Sequence, residues 1–193
     1  MAFDPEEGMP LLERHLARMK ASAEVFGFAF DRHGARNELQ AATFRLRDPC
    51  RIRLLLAPSG SVAVEMSPLP RTPEQAWTVA IVPLPVSPHD LRLRHKTSDR
   101  GFYDEARRAA ATDEVLFEHD GVLTEGSFTS LFVERDGVLL TPPPGPLLPG
   151  VLVADLIAAG RARPATLTRA DLTDGFFVGN ALRGLIPAIV AVA

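Results

Sequence analysis

Apolar residues near the start of the chain recur at the spacing of an amphipathic helix. Residues 10–28 read PLLERHLARMKASAEVFGF, and the apolar side chains return every three or four positions, at Leu11, Leu12, Leu16, Met19, Ala23 and Phe26. Pro10 stands where a first helical turn favours proline. The pattern predicts a helix here and a second, weaker helix over residues 35–45, ARNELQAATFR.

Three runs that are typical of strands follow these helices. They are CRIRLLLA at 50–57, SVAVEMS at 61–67 and WTVAIVPL at 77–84, and turn-forming PSG and proline-rich PLPRTPEQ separate them. Runs rich in valine, isoleucine and leucine between such breakers indicate β-structure. We expect the first two runs to pair as a hairpin.

The second half of the chain alternates between helical and strand patterns. The proline-rich, aperiodic stretch at 82–99 predicts a link between two lobes. After it we expect a helix at FYDEARRAAA, a strand at EVLFE and a strand pair at TSLFVERDGVLLTP. A helix at VLVADLIAAG, a short helix at TRADLTD and a final strand at GFFVGNA follow. The order predicts an α+β fold of two lobes, residues 1–87 and 88–193, that meet along a cleft.

Composition excludes several classes of function. The formal net charge of −3, with 23% charged residues, gives no basic field for nucleic acid or anionic lipid. Cys50 is the only cysteine, so an internal disulfide framework and a cysteine-based zinc site are excluded. No secretion signal and no apolar run of about 20 residues is present, which predicts a cytoplasmic protein without a membrane span. A metal site is not expected either.

Lys96 is unusual because this chain almost always uses arginine for positive charge. Only two of its 21 lysine and arginine residues are lysines. A lysine amine can lose its proton and act as a nucleophile or base, and arginine cannot. Neighbouring Arg94, His95 and Arg100 would favour the neutral amine. The alternative is an ordinary solvated loop lysine.

Other residues supply what a lysine-bound pyridoxal phosphate requires. Glu125, followed by hydroxyl residues at 127, 129 and 130, is a candidate carboxylate for the pyridine nitrogen. The stretch LLPGVLVADL at 147–156 runs from a glycine turn into a helix whose first N–H groups suit a phosphate. Arg18 on the first helix is a candidate phosphate ligand. Each of these features also has an ordinary structural explanation.

The joint order of these features resembles the class IV aminotransferases, the pyridoxal-phosphate enzymes that include branched-chain aminotransferase, D-amino-acid aminotransferase and 4-amino-4-deoxychorismate lyase. The matching stretches are LLERHLARMKASAE, RHKTSDRGFYDEAR, EVLFEHDGVLTEGSFTSLFVERDGVLLTPP, LLPGV and FFVGNALRGLIPA. The resemblance implies a homodimer that acts on a small-molecule amine. It also implies a cofactor site made of Arg18, Lys96, Glu125, Thr129, Val151, Leu152 and Asn180.

By this resemblance Lys96 forms the Schiff base, Glu125 contacts the pyridine nitrogen and Arg18 binds the phosphate. Backbone N–H groups of Val151 and Leu152 would also bind the phosphate, although transaminases commonly have threonine where Leu152 stands. The chain is expected to begin after the strand with which family members usually start, and an arginine-rich loop of the family is replaced by APSGSVAVEMS.

GNALRGLIP at 179–187 is more similar to the lyase than to the transaminases. The leading interpretation is therefore a lyase that converts 4-amino-4-deoxychorismate to 4-aminobenzoate and pyruvate. A transaminase for branched-chain or D-amino acids is the first alternative. A cofactor-binding homologue without turnover is the second.

Overall fold

The computed structural model describes residues 1–191, which form two compact units, Met1–Arg71 and the chain from Thr72 onward. The sequence pattern predicts this boundary after residue 87. The structure places it earlier because the strand WTVAIVP is bonded on both sides by strands of the second unit. The predicted α+β class is confirmed.

The first unit packs two helices with a three-stranded antiparallel sheet. Its elements are β1 (Ala2–Phe3), α1 (Leu12–Phe26), α2 (Arg32–Thr43), β2 (Cys50–Leu56) and β3 (Val62–Pro68), and the strand order is β1-β2-β3. Both predicted helices and the predicted β2–β3 hairpin are confirmed. A small apolar core joins these elements: Phe3, Leu16, Ala35, Leu39 and Ile52.

The two-residue strand β1 was not predicted. It is too short for periodicity to reveal, and it exists because Ala2 and Phe3 pair with Arg51 and Cys50 of β2. Cys50 is partly buried beside this core, and burial raises the pKa of its thiol. A structural role for this cysteine follows from its packing.

The second unit is built on one mixed sheet with helices outside it. Its elements are β4 (Trp77–Pro83), α3 (Leu91–Arg94), α4 (Gly101–Ala110), β5 (Glu114–His119), β6 (Val122–Gly126), β7 (Ser130–Arg135), β8 (Val138–Thr141), α5 (Val151–Ala158), β9 (Ala162–Pro164), a 3₁₀ helix (Arg169–Leu172), β10 (Phe176–Asn180) and β11 (Gly184–Val190). The strand order is β10-β11-β4-β5-β6-β7-β8-β9.

This sheet closes on itself because β10 pairs with β7 as well as with β11. Six strands therefore form a ring, and its interior is apolar: Val79, Leu116, Leu123, Leu131, Val133, Val178, Ile186 and Ala188. Two further apolar clusters lie outside the ring. One joins β5 to α4 through Tyr103 and Phe117, and the other joins β7 to α5 through Phe132 and Leu156.

Three strands of this unit were not predicted as such. β9 is three residues long, and β6 lies in a stretch that is more polar than its neighbours. β11 contains Pro187, which usually argues against a strand. The first part of the apolar end LIPAIVAVA, residues 185–193, belongs to β11, and residues 192 and 193 lie outside the described residues. Within residues 1–191, no helix is long and apolar enough to cross a membrane.

Candidate active site

Glu125 is a buried carboxylate at the end of β6. Its side chain is only 5% exposed. The hydroxyl of Tyr103, on α4, donates a hydrogen bond of 2.6 Å to Oε1, and the backbone N–H of Leu148 donates one of 3.0 Å to Oε2. Glu125 is thus held from the α4 side and from the segment that leads into α5.

A bulge in β6 explains why Glu125 reaches α4. Leu116 of β5 pairs with Gly126, and Glu118 pairs with Leu123, so three steps along β6 match two along β5. Residues two apart in a regular strand share a face, yet Leu123 lies in the ring interior and Glu125 contacts Tyr103 outside it. The extra residue therefore turns Glu125 outward, which is a common use of bulges beside active sites.

Burial dominates the electrostatics of Glu125. Desolvation raises the pKa of its carboxyl to about 7, against the lowering effects of the Tyr103 and Leu148 hydrogen bonds and of the charges of Arg100 and Lys96. Burial, together with the nearby Glu125 charge, raises the pKa of Tyr103 well above its ordinary value, so Tyr103 is a neutral donor. Glu125 can therefore change its charge near neutral pH.

Lys96 lies in the exposed segment between α3 and α4. Arg92, on α3, links the start of that helix to this segment, with an ion pair of 2.7 Å to the N-cap residue Asp90 and one of 2.9 Å to Asp99. The Asp90 carboxylate also accepts the Arg92 N–H at the start of α3. The segment is thereby held as a short loop, and the positive charge of Lys96 acts on Glu125.

A second buried carboxylate, Glu114, anchors the loop that follows Glu125. Its oxygens accept the N–H groups of Ser127 and Phe128, the hydroxyls of Ser127 and Thr129, and the N–H of Val115. Thr129, predicted as a cofactor ligand, thus donates its hydroxyl to Glu114 at 2.9 Å. The role of Glu114 was not predicted from the sequence, because a glutamate at the start of an apolar strand belongs to no recognisable motif.

Asn180 ends β10 and organises the turn into β11. Its Oδ1 accepts the N–H groups of Leu182 and Arg183, and its Nδ2 donates 3.1 Å to the carbonyl of Phe128. The side chain predicted to contact a cofactor therefore ties this turn to the loop that Glu114 anchors.

Strand register brings Glu125 close to the start of α5. Ser130 of β7 pairs with Glu125 on one side and with Gly179 of β10 on the other. A Cβ on Gly179 would lie 3.2 Å from the Leu152 side chain, and one on Gly150 would lie 2.8 Å from the Ser130 Oγ. The first turn of α5 thus packs against the strand beside Glu125.

The N-terminus of α5 has the form of an anion site. Gly150 is its extended N-cap residue and provides no side-chain hydrogen bond, and Val151 and Leu152 are the first two helical residues. Free N–H groups and the positive end of the helix dipole favour negative charge at such a position. The phosphate-binding roles of Val151 and Leu152 stay predictions.

Six of the seven predicted site residues thus belong to one neighbourhood of the second unit: Lys96, Glu125, Thr129, Val151, Leu152 and Asn180. Arg18 lies on α1 of the first unit, and its role stays a prediction. Among the described residues no group of three or more histidine, cysteine, aspartate and glutamate side chains could hold a metal ion.

Comparison with known proteins identifies the family. The model of amino-transferase class IV matches residues 2–189. The chain belongs to this family. A structure described as a "Putative amino-acid aminotransferase" from Mesorhizobium loti is 37% identical, with a TM-score of 0.90 over 99% of this chain and 97% of that one. The family is one of enzymes, as the sequence analysis predicted.

More distant similarities are to proteins with different descriptions. A "Putative aminodeoxychorismate lyase" from Schizosaccharomyces pombe is 28% identical over 140 residues, which are 68% of this chain and 60% of that relative. A hypothetical aminotransferase from Mycobacterium tuberculosis in a PLP-bound form is 23% identical, with a TM-score of 0.80 over 98% of this chain and 78% of that one. The proteins similar to this chain thus carry both lyase and aminotransferase descriptions.

Proposed function

We propose that this protein binds pyridoxal phosphate and uses it as a lyase on 4-amino-4-deoxychorismate. The observation that carries the cofactor proposal is the buried Glu125 carboxylate, whose pKa lies at about 7. A buried acid of this kind is suited to a basic ring nitrogen, because the two groups can share a proton and neutralise each other. The M. tuberculosis protein of the same fold, solved with PLP, supports the proposal.

The residues present fit the cofactor at its aldehyde, its ring nitrogen and its phosphate. Lys96 would hold its aldehyde covalently, and Glu125 would face its ring nitrogen. The N–H groups of Val151 and Leu152 at the uncapped start of α5 would bind its phosphate. Arg18 is the proposed side-chain ligand of the same phosphate. When bound, the cofactor supplies an electron sink for a substrate carbon that loses a proton.

Lys96 is the proposed general base of the reaction. Once the substrate amine has taken its place, the Lys96 amine removes the proton from the ring carbon that carries the substrate nitrogen. The C–O bond to the enolpyruvyl group would then break, the ring would become aromatic, and the departing enolate would take up one proton at carbon to become pyruvate. Glu125 holds the proton at the ring nitrogen throughout. No water molecule or oxidant is consumed.

The lyase reading rests on GNALRGLIP and on the S. pombe relative. The test is pyruvate release from 4-amino-4-deoxychorismate by the purified protein with pyridoxal phosphate, measured with lactate dehydrogenase. We expect equal amounts of pyruvate and 4-aminobenzoate, and neither product from Lys96→Ala. Bound cofactor without either product would reject the lyase proposal.

Aminotransferase activity is the second candidate, because the M. loti relative at 37% identity is described as an aminotransferase. It would convert branched-chain or D-amino acids. Single-turnover spectra with a panel of amino acids separate the candidates, since a transaminase leaves its cofactor as the amine and a lyase releases it unchanged. Bound cofactor without turnover of any compound would favour a non-catalytic homologue.

We further propose a homodimer and a cytoplasmic location, both of which the family resemblance and the sequence suggested. Sedimentation velocity tests the assembly. A mass of twice the 20.9 kDa chain would support it, and a single-chain mass would reject it.

A further inference from the structure

Tyr103, which is buried, and Arg100, which is half-buried, lie beside Glu125, and the mechanism above uses neither. The Tyr103 side chain is 1% exposed, and its ring packs edge-on against Phe117 at 5.4 Å. Its hydroxyl lies 2.6 Å from the Glu125 Oε1. Tyr103 is the only tyrosine of the chain.

Arg100 fixes the ring of Tyr103 from the other side. Its guanidinium carbon lies 4.1 Å from the centre of that ring, and its Nη2 donates 2.7 Å to the carbonyl of Ser127. Ser127 in turn donates to Glu114. The loop after Glu125 and the start of α4 are therefore locked together through Arg100.

We propose that Tyr103 is a positioning residue for Glu125, supported by Arg100, and that it keeps this carboxylate ionised and fixed for the ring nitrogen of the cofactor. The inference rests on the proposed function, because Glu125 needs a ring nitrogen to act upon. A hydrogen bond from a neutral donor to a buried carboxylate favours the ionised form and restricts its orientation.

The groups that act on Glu125 come from each element packed against it. Tyr103 and Arg100 belong to α4 and its N-cap, Lys96 belongs to the preceding segment, and Leu148 contributes a backbone N–H from the α5 side. All four favour the ionised carboxylate, and burial opposes it. Loss of the Tyr103 hydroxyl should therefore raise the pKa of Glu125, because one of the groups that counteract burial is removed.

The variant Tyr103→Phe isolates this hydroxyl, because it keeps the ring that carries Arg100 and contacts Phe117. Thr124→Val is a matched control. The Thr124 hydroxyl is also buried on β6, but it donates to the carbonyl of Phe117 at 3.1 Å and not to Glu125. Both variants lose one buried hydroxyl, and only Tyr103→Phe alters the environment of Glu125.

The first measurement uses the cofactor-free protein with glutamate labelled by ¹³C at the carboxyl carbon. Glu125→Gln assigns the Glu125 signal, and its chemical shift is followed with pH. We expect the midpoint in Tyr103→Phe to rise by about one pH unit above wild type, and the midpoint in Thr124→Val to stay within a few tenths. An unchanged midpoint in Tyr103→Phe, or an equal rise in both variants, would overturn the inference.

The second measurement compares binding of pyridoxal phosphate with binding of its analogue that has carbon in place of the ring nitrogen. Tyr103→Phe is expected to weaken binding of pyridoxal phosphate by roughly tenfold and to leave binding of the analogue unchanged. Equal weakening of both compounds would show a purely structural role and overturn the inference. If wild type binds neither compound, both the proposed function and this inference fail. If wild type binds pyridoxal phosphate and Tyr103→Phe binds it equally well, only this inference fails.

Discussion

Glu125 shows how much of a residue's chemistry depends on its surroundings. From the sequence it is a glutamate in a turn-like TEGS stretch, and only the family resemblance indicates its partner. Contacts with distant segments bury Glu125, provide its hydrogen bond to Tyr103 and form the bulge that turns it outward. No local sequence pattern encodes these contacts, so Tyr103 and Glu114 could not be predicted from the sequence. Lys96 could be predicted, because lysine is rare in this arginine-rich chain.

Glu125 should make the stability of the cofactor-free protein depend on pH. Its pKa is raised from 4.5 to about 7 on folding, so between these values the folded state binds more protons than the unfolded state. Stability therefore falls as pH rises through this window and is constant with respect to this group above it. Between pH 4.5 and about 7, the free energy of unfolding of wild type should fall by up to about 3 kcal/mol relative to that of Glu125→Gln.

Urea unfolding of both proteins at pH 4.5, 6 and 8 measures this difference. Other groups titrate alike in both chains and cancel. A gap between wild type and Glu125→Gln that does not change with pH would contradict the buried position of this carboxyl.

Glu114 should matter for folding. Five donors point at its fully buried carboxylate, and glutamine can satisfy these donors with one oxygen only, while its NH₂ group faces the rest. We expect Glu114→Gln to lower the free energy of unfolding by about 3 kcal/mol. Exposed Glu134 on β7 provides the control, and Glu134→Gln should change it by less than about 0.5 kcal/mol. Equal effects would refute the anchoring role.

At the scale of elements, periodicity predicted those that carry many apolar residues. The helices α1, α2, α4 and α5 and the strands β2 to β5, β7, β8 and β10 were all expected from their patterns. β1 and β9 are too short to show a period, and β11 includes Pro187. β6 was missed because it lies in a polar stretch and because its bulge breaks the alternation that marks a strand.

β10 should tolerate no side chain at Gly179, where its backbone approaches β11 closely. An added Cβ would collide with the backbone carbonyl of Gly184, which cannot rotate away. We expect Gly179→Ala to cost about 3 kcal/mol of stability and to weaken cofactor binding, since Leu152 packs on the same position. Gly145→Ala is the control, because only the Pro143 carbonyl lies within 4 Å of its added Cβ, at 3.8 Å. Thermal unfolding compares them, and similar melting temperatures would contradict the tight approach.

At the scale of the whole molecule, the α+β class followed from the element order, but the closed sheet did not. Closure depends on the parallel pairing of β4 with β5 and with β11, and on the pairing of β10 with β7, which join segments far apart in the chain. For the same reason β4, which resembles a third strand of the first lobe in sequence, belongs to the second unit. Long-range pairing is decided by packing, which a single sequence does not display.

The central claim is that Lys96, beside Glu125, is the residue that holds the cofactor. The chain has only two lysines, so reduction with borohydride after incubation with pyridoxal phosphate, followed by peptide mass spectrometry, locates the attachment directly. We expect one cofactor per chain on the peptide that contains Lys96, and no attachment in Lys96→Ala. Attachment at Lys20, or no attachment in the wild type, would contradict it.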